Sequence, residues 1–315
     1  MSKYRTALPQ LGSRLFLTDG GMETTFIFHD GLTLPANAAF DLMRTSAGRA
    51  HVETYYRRYI AIARENGNGL ILETPTWRAS PDWGDKLGYS REALAAINRE
   101  TVEMLAGLRA ENETPTTPLV VSGCIGPRGD GYDPGQVMTS AEAADYHGFQ
   151  VSIFAETDVD MIGAMTMTNA AEAVGVAAAA RRAGVPVSIS FTVETDGRLP
   201  TGQDLGDAIE EVDTATGRWP VYYMINCAHP SHFASTLEKG GAWLGRLRGL
   251  RANASKKSHK ELDESTELDA GDPDELGAAY RELRRRMPHL SVVGGCCGTD
   301  HRHVHAISLA CRRAA

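Results

Sequence analysis

Short apolar runs alternate with longer segments of helical periodicity along the whole chain. Eight such runs, rich in β-branched and aliphatic residues, predict buried strands. They are Leu15–Thr18, Gly69–Glu73, Leu119–Ser122, Met161–Met165, Val187–Phe191, Tyr222–Asn226, Leu247–Arg251 and Leu290–Gly294. Each precedes a predicted helix, at 47–66, 90–111, 140–156, 169–183, 203–216, 230–239, 272–286 and 300–313. This alternation predicts a (β/α)8 TIM barrel, a single α/β domain over residues 1–315.

Helix start signals support three of these helices. Thr139 with Glu142 three residues later has the pattern of a capping box. Asp272, followed by a proline and then by Glu275, combines an N-cap with a reciprocal acid. Asp300 is placed to cap the last helix.

The alternative fold is an open doubly wound sheet. Asp19-Gly20-Gly21 after the first run lacks the G-x-G-x-x-G spacing of a dinucleotide site, and no run has the character of an edge strand. Both observations favour the barrel. Two long loops, 21–46 and 252–271, would then lie at the C-terminal face, where barrel active sites are built.

Composition and charge limit the classes of binding partner that we expect. The chain has 315 residues, 42% hydrophobic and 23% charged, with a net charge of −8. No basic patch dominates, so we expect no nucleic-acid or membrane partner. The N-terminus (MSKYR) lacks the apolar core of a signal peptide, which predicts a cytoplasmic protein. The sequence leaves open whether the protein forms a homo-oligomer.

The candidate chemistry lies in the cysteines. Cys227 follows the sixth run, and Cys296 and Cys297 follow the eighth, so a barrel brings all three to one face. Five cysteines, two of them adjacent, are not a disulfide framework and indicate reduced thiols. Adjacent side chains on a strand point to opposite faces, so both can turn toward one ion only where the backbone bends. The freedom to bend is expected from the neighbouring Gly294, Gly295 and Gly298.

Three thiolates predict a zinc site. With three protein ligands the fourth tetrahedral position stays open, as in catalytic zinc sites. Such an electron-rich zinc suits a soft substrate thiolate and lowers the pKa of the bound thiol. The expected reaction is attack of that sulfur on a methyl group carried by a positively charged sulfur or nitrogen. No catalytic side chain beyond the metal site is then needed.

Other ligand sets and functions remain as alternatives. Cys124 or His229 could serve as a further or replacement ligand, whereas Cys311 is expected to be inert. His301, His303 and His305 do not share one helical face, which argues against a histidine cluster. The alternative functions are a zinc hydrolase that uses His229, and a non-enzymatic site that fixes loops or senses oxidants.

Six segments carry a family resemblance. They are Thr18–Thr24 (TDGGMET), Thr76–Ser80 (TWRAS), Ile125–Pro127 (IGP), Ile189–Thr192 (ISFT), Asn226–Pro230 (NCAHP) and Gly294–Thr299 (GGCCGT). From Leu17 to about Ile307 the chain resembles the zinc-dependent homocysteine S-methyltransferases, which include S-methylmethionine-, betaine- and methylfolate-dependent enzymes. The resemblance implies zinc on the three cysteines and contact of Asp19 and Gly20 with the bound amino acid. It also implies a role in methionine biosynthesis.

One departure concerns the acceptor. The family carries a glutamate after the fourth strand that holds the homocysteine ammonium, and Met165 stands at that place here. We hypothesise that Glu73, at the end of the second run, replaces it. The alternatives are that Glu73 pairs with a barrel arginine such as Arg78, or that the acceptor is another thiol.

The expected donor is a small free molecule. The chain continues only briefly beyond the eighth predicted helix, so we expect no corrinoid- or folate-binding domain and favour a small sulfonium or betaine-type donor. Aromatic faces hold such cations, and the candidates are Phe26, Trp77, Trp83 and Tyr132. Further expected substrate contacts are Thr74, Asn226 and Asn253.

Overall fold

Eight parallel strands form a closed barrel in chain order in the computed structural model, which describes residues 2–312. The strands are β1 (Phe16–Leu17), β2 (Gly69–Glu73), β3 (Leu119–Ile125), β4 (Met161–Met167), β5 (Val187–Phe191), β6 (Tyr222–Asn226), β7 (Leu247–Ala252) and β8 (Val292–Gly295). Phe16 pairs with Gly69 on one side and with Val292 on the other, which closes the barrel. The predicted barrel is confirmed, and the open sheet is wrong.

One long helix follows each strand. They are α1 (Ser46–Asn66), α2 (Arg91–Asn112), α3 (Ser140–Ala155), α4 (Ala170–Ala183), α5 (Leu205–Thr216), α6 (Pro230–Glu238), α7 (Pro273–Arg286) and α8 (His301–Ala310). Within the described chain, their bounds lie close to the predicted ones. The last predicted helix reached residue 313, which lies outside the described residues.

The predicted caps are largely present. Thr139 and Glu142 form a full capping box, and Asp300 accepts a hydrogen bond from the N–H of Arg302. The Asp272 side chain accepts hydrogen bonds from two backbone N–H groups at the start of α7. The Glu275 side chain does not accept a hydrogen bond from the backbone N–H of Asp272. Its side chain lies 3.4 Å from Lys256 instead, so the reciprocal half of that prediction is wrong.

Two layers of apolar side chains fill the fold because strand residues alternate between faces. One set lies inside the barrel and includes Phe16, Ile71, Val120, Met161 and Val292. The other set, which includes Leu17, Leu70, Val121, Ile162 and Val293, packs against the helices. No helix of the described chain is long and apolar enough to cross a membrane.

The long loops extend from the C-terminal ends of their strands, as predicted. Loop 21–46 contains the turns Met22–Thr24, Thr25–His29, Pro35–Asn37 and Ala39–Arg44. Loop 252–271 contains the short helix His259–Asp263. The remaining short helices are Pro9–Leu11, Pro81–Lys86 and Ala242–Arg246. The loops after β1 and β7 thus lie at the barrel mouth, beside the ends of β6 and β8.

Candidate functional site

The three predicted cysteines meet at the barrel mouth. The Sγ atoms of Cys227, Cys296 and Cys297 all lie within 4.8 Å of one another. Among residues 2–312 they are the one group of three or more Cys, His, Asp or Glu side chains placed to hold a metal ion. The three sulfurs fit a soft divalent ion such as zinc, for which thiolates are preferred ligands.

Two of the three sulfurs lie in contact at disulfide-forming separation. Cys227 and Cys296 are the contacting pair, and Cys297 is free with its Sγ 3.7 Å from that of Cys227. The Cα atoms of the contacting pair are 5.4 Å apart, within the usual disulfide range. The same backbone therefore accommodates either a disulfide or sulfurs that share an ion.

Backbone geometry turns the sulfurs toward one point. Cys227 has a φ of 54°, in the left-handed region that a side-chain-bearing residue adopts only when its surroundings hold it there. Its carbonyl accepts hydrogen bonds from Asn253 Nδ2 at 3.0 Å and His259 Nε2 at 2.7 Å. The site thus depends on loop 252–271 as well as on the strands.

The glycines beside the cysteine pair act differently from the prediction. Gly298 has a φ of 79° and supplies the expected bend. Gly294 and Gly295 are strand residues, and a Cβ there would lie about 2 Å from the hydroxyls of Thr18 and Thr299 respectively. They are needed for close approach of the β1 and β8 loops rather than for backbone freedom.

Tyr132 covers the thiols from the loop after β3. Its hydroxyl lies 3.3 Å from Cys297 Sγ, and its ring stacks on His259 at 4.1 Å between centroids. His259 Nδ1 in turn contacts Glu194 at 3.1 Å. Burial raises the pKa of the Cys297 thiol, whereas the bond from Tyr132 lowers it and the charge of Glu23 raises it.

A buried ion cluster lies beside the thiols. Arg251 donates to Asp19 at 2.5 Å and to the carboxylate of Glu73, and its Nε donates to Gly295 O at 3.1 Å. Burial raises the pKa of Glu73 to about 7, against the attraction of Arg251, and Asp19 adds to the rise. Glu73 therefore pairs with a barrel arginine, which is Arg251 rather than Arg78.

Two tyrosines of α1 fix the predicted amino-acid contacts. Tyr55 donates to Asp19 Oδ2 at 2.9 Å and lies 3.1 Å from the carbonyl of Gly20. A Cβ on Gly20 would lie 2.9 Å from the hydroxyl of Tyr59. The Asp19-Gly20 turn is therefore held against α1.

The end of β4 presents a threonine to the site. Asn226 Nδ2 donates to Thr166 Oγ1 at 2.8 Å and lies 3.8 Å from Cys296 Sγ, while its Oδ1 accepts from Thr166 N and Ser190 Oγ. Thr166 has a φ of 62°, next to a register shift in the strand. Met165 packs inside the barrel, whereas Thr166 is linked through Asn226 to Cys296.

The remaining residues that we expected to contact substrate, Thr74 and the aromatic side chains, each contact other parts of the protein. Thr74 lies between β2 and β3, where its Oγ1 accepts from the N–H of Cys124 at 2.9 Å. Trp77 is half-buried, and its Nε1 donates to Met165 O at 3.4 Å. Phe26 is fully buried against Tyr55. Both Arg78 and Lys86 stack on Trp83, at 4.0 and 4.1 Å from its ring.

The alternative ligands lie outside the sulfur cluster. His229 caps α6 through Ser231, and burial lowers its pKa to about 4. Cys124 is buried inside the barrel and Cys311 at the end of α8. His303 contacts Asp300 and Ala270 rather than a metal cluster. No geometric observation therefore favours the zinc-hydrolase alternative.

Sequence reasoning missed Arg251, His259 and Glu23 as members of the site. Ser258 and Glu261 form a capping box whose S-x-x-E pattern is visible in the sequence and would have placed a helix start at His259. No comparable sequence signal marks Arg251, whose partners are 232 and 178 residues away along the chain.

Comparison with known proteins agrees with this geometry. The profile of the homocysteine S-methyltransferase family matches residues 16–311. Homocysteine S-methyltransferase 4 of Zea mays is 23% identical over 269 residues, which cover 79% of this chain and 77% of that protein.

Solved structures share the fold. The oxidised form of the homocysteine methyltransferase MmuM from Escherichia coli has a TM-score of 0.71 at 18% identity, covering 98% of this chain and 99% of that one. Its metallated form has a TM-score of 0.65 at 18% identity, covering 96% and 98%. The family profile spans nearly the whole barrel together with all three cysteines, and the chain therefore belongs to the homocysteine S-methyltransferase family of methyltransferases.

Proposed function

We propose that the protein is a zinc-dependent S-methyltransferase whose acceptor is homocysteine and whose product is methionine. The observation that carries the proposal is the convergence of Cys227, Cys296 and Cys297 at the barrel mouth, with sulfurs within 4.8 Å of one another. In their reduced state these three thiolates are the proposed zinc ligands, and they leave a fourth position for the acceptor sulfur. The alternative acceptor is another small thiol.

The metal supplies one element of the chemistry: when bound, zinc lowers the pKa of the acceptor thiol so that its sulfur is a nucleophile at neutral pH. The acceptor sulfur forms a bond to the methyl carbon as the donor's bond to that carbon breaks. The electron pair of the broken bond stays on the leaving sulfur or nitrogen, which becomes neutral. No protein base is required, in keeping with the buried, mostly paired acids beside the thiols.

The chain's own residues position the reactants. Asn253 and His259 hold the backbone of Cys227, and Asn226 lies against Cys296. The hydroxyl of Tyr132 lies 3.3 Å from Cys297 Sγ, which places a group able to donate a hydrogen bond at the edge of the sulfur cluster. These contacts fix the sulfurs before a substrate arrives, so that less ordering remains for the binding step.

We propose a small sulfonium or betaine-type methyl donor. Tyr132 lies against the thiols, and the half-buried Trp77 contacts the end of β4 at Met165 O. Aromatic faces attract cationic methyl groups. Asp19, Gly20, Trp77 and Asn226 are retained as proposed substrate contacts. Glu73, Thr74 and Asn253 are assigned a supporting role: Glu73 holds Arg251, Thr74 accepts from the backbone of Cys124, and Asn253 donates to the backbone of Cys227.

The test is methyl transfer by reduced, zinc-loaded protein. Homocysteine is incubated with S-methylmethionine or betaine carrying deuterated methyl groups, and methionine is read by mass spectrometry. We expect labelled methionine from at least one donor, its loss in Cys297→Ser, and its retention in the matched control Cys311→Ser. No labelled methionine from either donor would refute the proposal.

A further inference from the structure

The acids at the barrel mouth do not all have partners. Asp19 and Glu73 both bind Arg251, so the acid that the sequence suggested for the ammonium, Glu73, already has a buried cation beside it. An ammonium at either carboxylate would compete with that guanidinium at close range. An acid without a cation is therefore a better match for an amino group.

Glu23 is such an acid. It lies in the turn Met22–Thr24, directly after the Asp19-Gly20 segment. Within residues 2–312 its side chain makes no hydrogen bond or ion pair with another residue's side chain, and the residue is half-buried. Its carboxylate is thus sheltered by the mouth yet lacks a cationic partner.

The turn that carries Glu23 is packed against the metal-binding loop. Thr24 Oγ1 accepts a hydrogen bond from Gly298 N at 3.0 Å, and a Cβ on Gly21 would lie 2.7 Å from the carbonyl of Cys296. Because Gly21 and Thr24 flank Glu23 in the sequence, these two contacts fix the position of the Glu23 backbone relative to the thiols. A ligand bound through its sulfur would therefore meet Glu23 at a defined distance.

The charged groups around Glu23 do not neutralise its carboxylate at close range. Burial raises the pKa of the Glu23 carboxyl, and a hydrogen bond from its own backbone N–H lowers it. The charge of Asp19 adds to the rise, while Arg78 and Arg251 oppose it. Arg251 is bound to two other carboxylates, and Arg78 is drawn toward Asp130 at 3.7 Å and Ala36 O. A sheltered carboxylate without a close cation is stabilised when a ligand brings one.

We propose that Glu23 binds the ammonium group of an amino-acid thiol whose sulfur lies at the cysteine cluster. This assignment rests on the proposed methyltransferase function and makes Glu23 a specificity-determining residue for the acceptor. An ammonium has N–H donors that match a carboxylate. A methylsulfonium or betaine methyl group has none, which assigns Glu23 to the acceptor rather than the donor.

The test separates binding from turnover. Reduced, zinc-loaded wild type and Glu23→Gln are titrated calorimetrically, without methyl donor, with homocysteine and with 4-mercaptobutanoate, which lacks the amino group. We expect Glu23→Gln to weaken homocysteine binding about tenfold or more, the usual effect of losing a charge-assisted hydrogen bond. Binding of 4-mercaptobutanoate should change less than about twofold.

Two further variants serve as controls. Glu65→Gln removes an exposed carboxylate near the end of α1 that leads into β2, on the side opposite the mouth, and should leave both affinities unchanged. Glu23→Asp keeps the charge and should keep the preference for homocysteine even if Glu23→Gln folds poorly. Zinc content and circular dichroism verify each variant.

The outcomes distinguish this proposal from the one it rests on. Equal weakening of both thiols, no weakening of homocysteine, or a rise in the donor's KM alone in Glu23→Gln would overturn the role of Glu23. A Glu23-dependent preference for homocysteine without methyl transfer from any donor would support Glu23 and overturn the methyltransferase function. Failure of wild type to bind either thiol would overturn both.

Discussion

The hydroxyl of Tyr132 lies 3.3 Å from the Sγ of Cys297, the thiol that stays outside the contacting pair. A phenol O–H is a better donor than a thiol, so this contact favours the thiolate form of Cys297. The tyrosine is itself held by its stack on His259. A loop after β3 and a loop after β7 are thereby joined directly over the sulfur cluster.

Tyr132→Phe should make Cys297 less reactive in the metal-free protein. Loss of the donor raises the pKa of the thiol, so less thiolate is present and alkylation at pH 8 slows severalfold. Iodoacetamide labelling of the Cys297 peptide, followed by mass spectrometry, measures the rate. The control is Tyr146→Phe, whose hydroxyl bonds Ser80 and no thiol. An unchanged or faster rate in Tyr132→Phe would contradict the role assigned to this contact.

Cys297→Ser should abolish stoichiometric zinc binding. Removing one of three sulfur ligands leaves too few soft donors for a stable site, because zinc affinity depends on ligand number and type. Metal analysis after reduction and dialysis should give about one zinc per chain for wild type and for Cys124→Ser, and much less for Cys297→Ser. Equal zinc in both variants would exclude Cys297 as a ligand.

Arg251→Met should destabilise the barrel by about 3–5 kcal/mol, because it leaves Asp19 and Glu73 buried without their cation. Urea denaturation measures the change. Adding Glu73→Gln to the same chain removes one of the orphaned charges and should restore part of the loss. If the double variant is less stable than Arg251→Met alone, the destabilisation has another origin.

Asp300→Asn should destabilise the protein at neutral pH, with an effect that disappears in acid. Burial opposes ionisation of Asp300, but hydrogen bonds from His303 and Arg302 hold the pKa of its carboxyl well below 3.8. A depressed carboxyl pKa contributes stability above the unfolded-state pKa and loses it as pH falls below that value.

The expected cost of Asp300→Asn is about 1–2 kcal/mol at pH 7, since the variant keeps a capping side chain but loses its charge. Urea midpoints of the variant and wild type at pH 7 and at progressively lower pH provide the measurement. A gap that widened below pH 4 would reverse the assigned sign.

The barrel was predictable because its determinants are local. Strand residues such as Val120 and Val121 alternate between the interior and the helix layer, so each short run already encodes both of its faces. The cysteines were predictable for a related reason, since the C-terminal ends of β6 and β8 lie at the same end of any such barrel.

The surroundings of the cysteines were not predictable in the same way. Arg251 reaches across the barrel to Asp19, and only the closed sheet brings β7 and the β1 loop together. The register shift near Met167 presents Thr166 to Asn226 and leaves Met165 inside, a one-residue difference that an alternation pattern does not encode. The contact between the sulfurs of Cys227 and Cys296 depends on the local distance between two loops.

The left-handed backbone of Cys227 has a consequence for assembly of the site. Its conformation is unfavourable for a side-chain-bearing residue, and the bonds from Asn253 and His259 to its carbonyl compensate within the folded chain. The unfavourable free energy of orienting the Cys227 side chain is thus compensated during folding, before any metal ion binds. If the three sulfurs hold the proposed metal ion, its affinity and the stability of the fold are coupled through one carbonyl oxygen. Substitutions in the β7 loop that never touch a sulfur should then alter both.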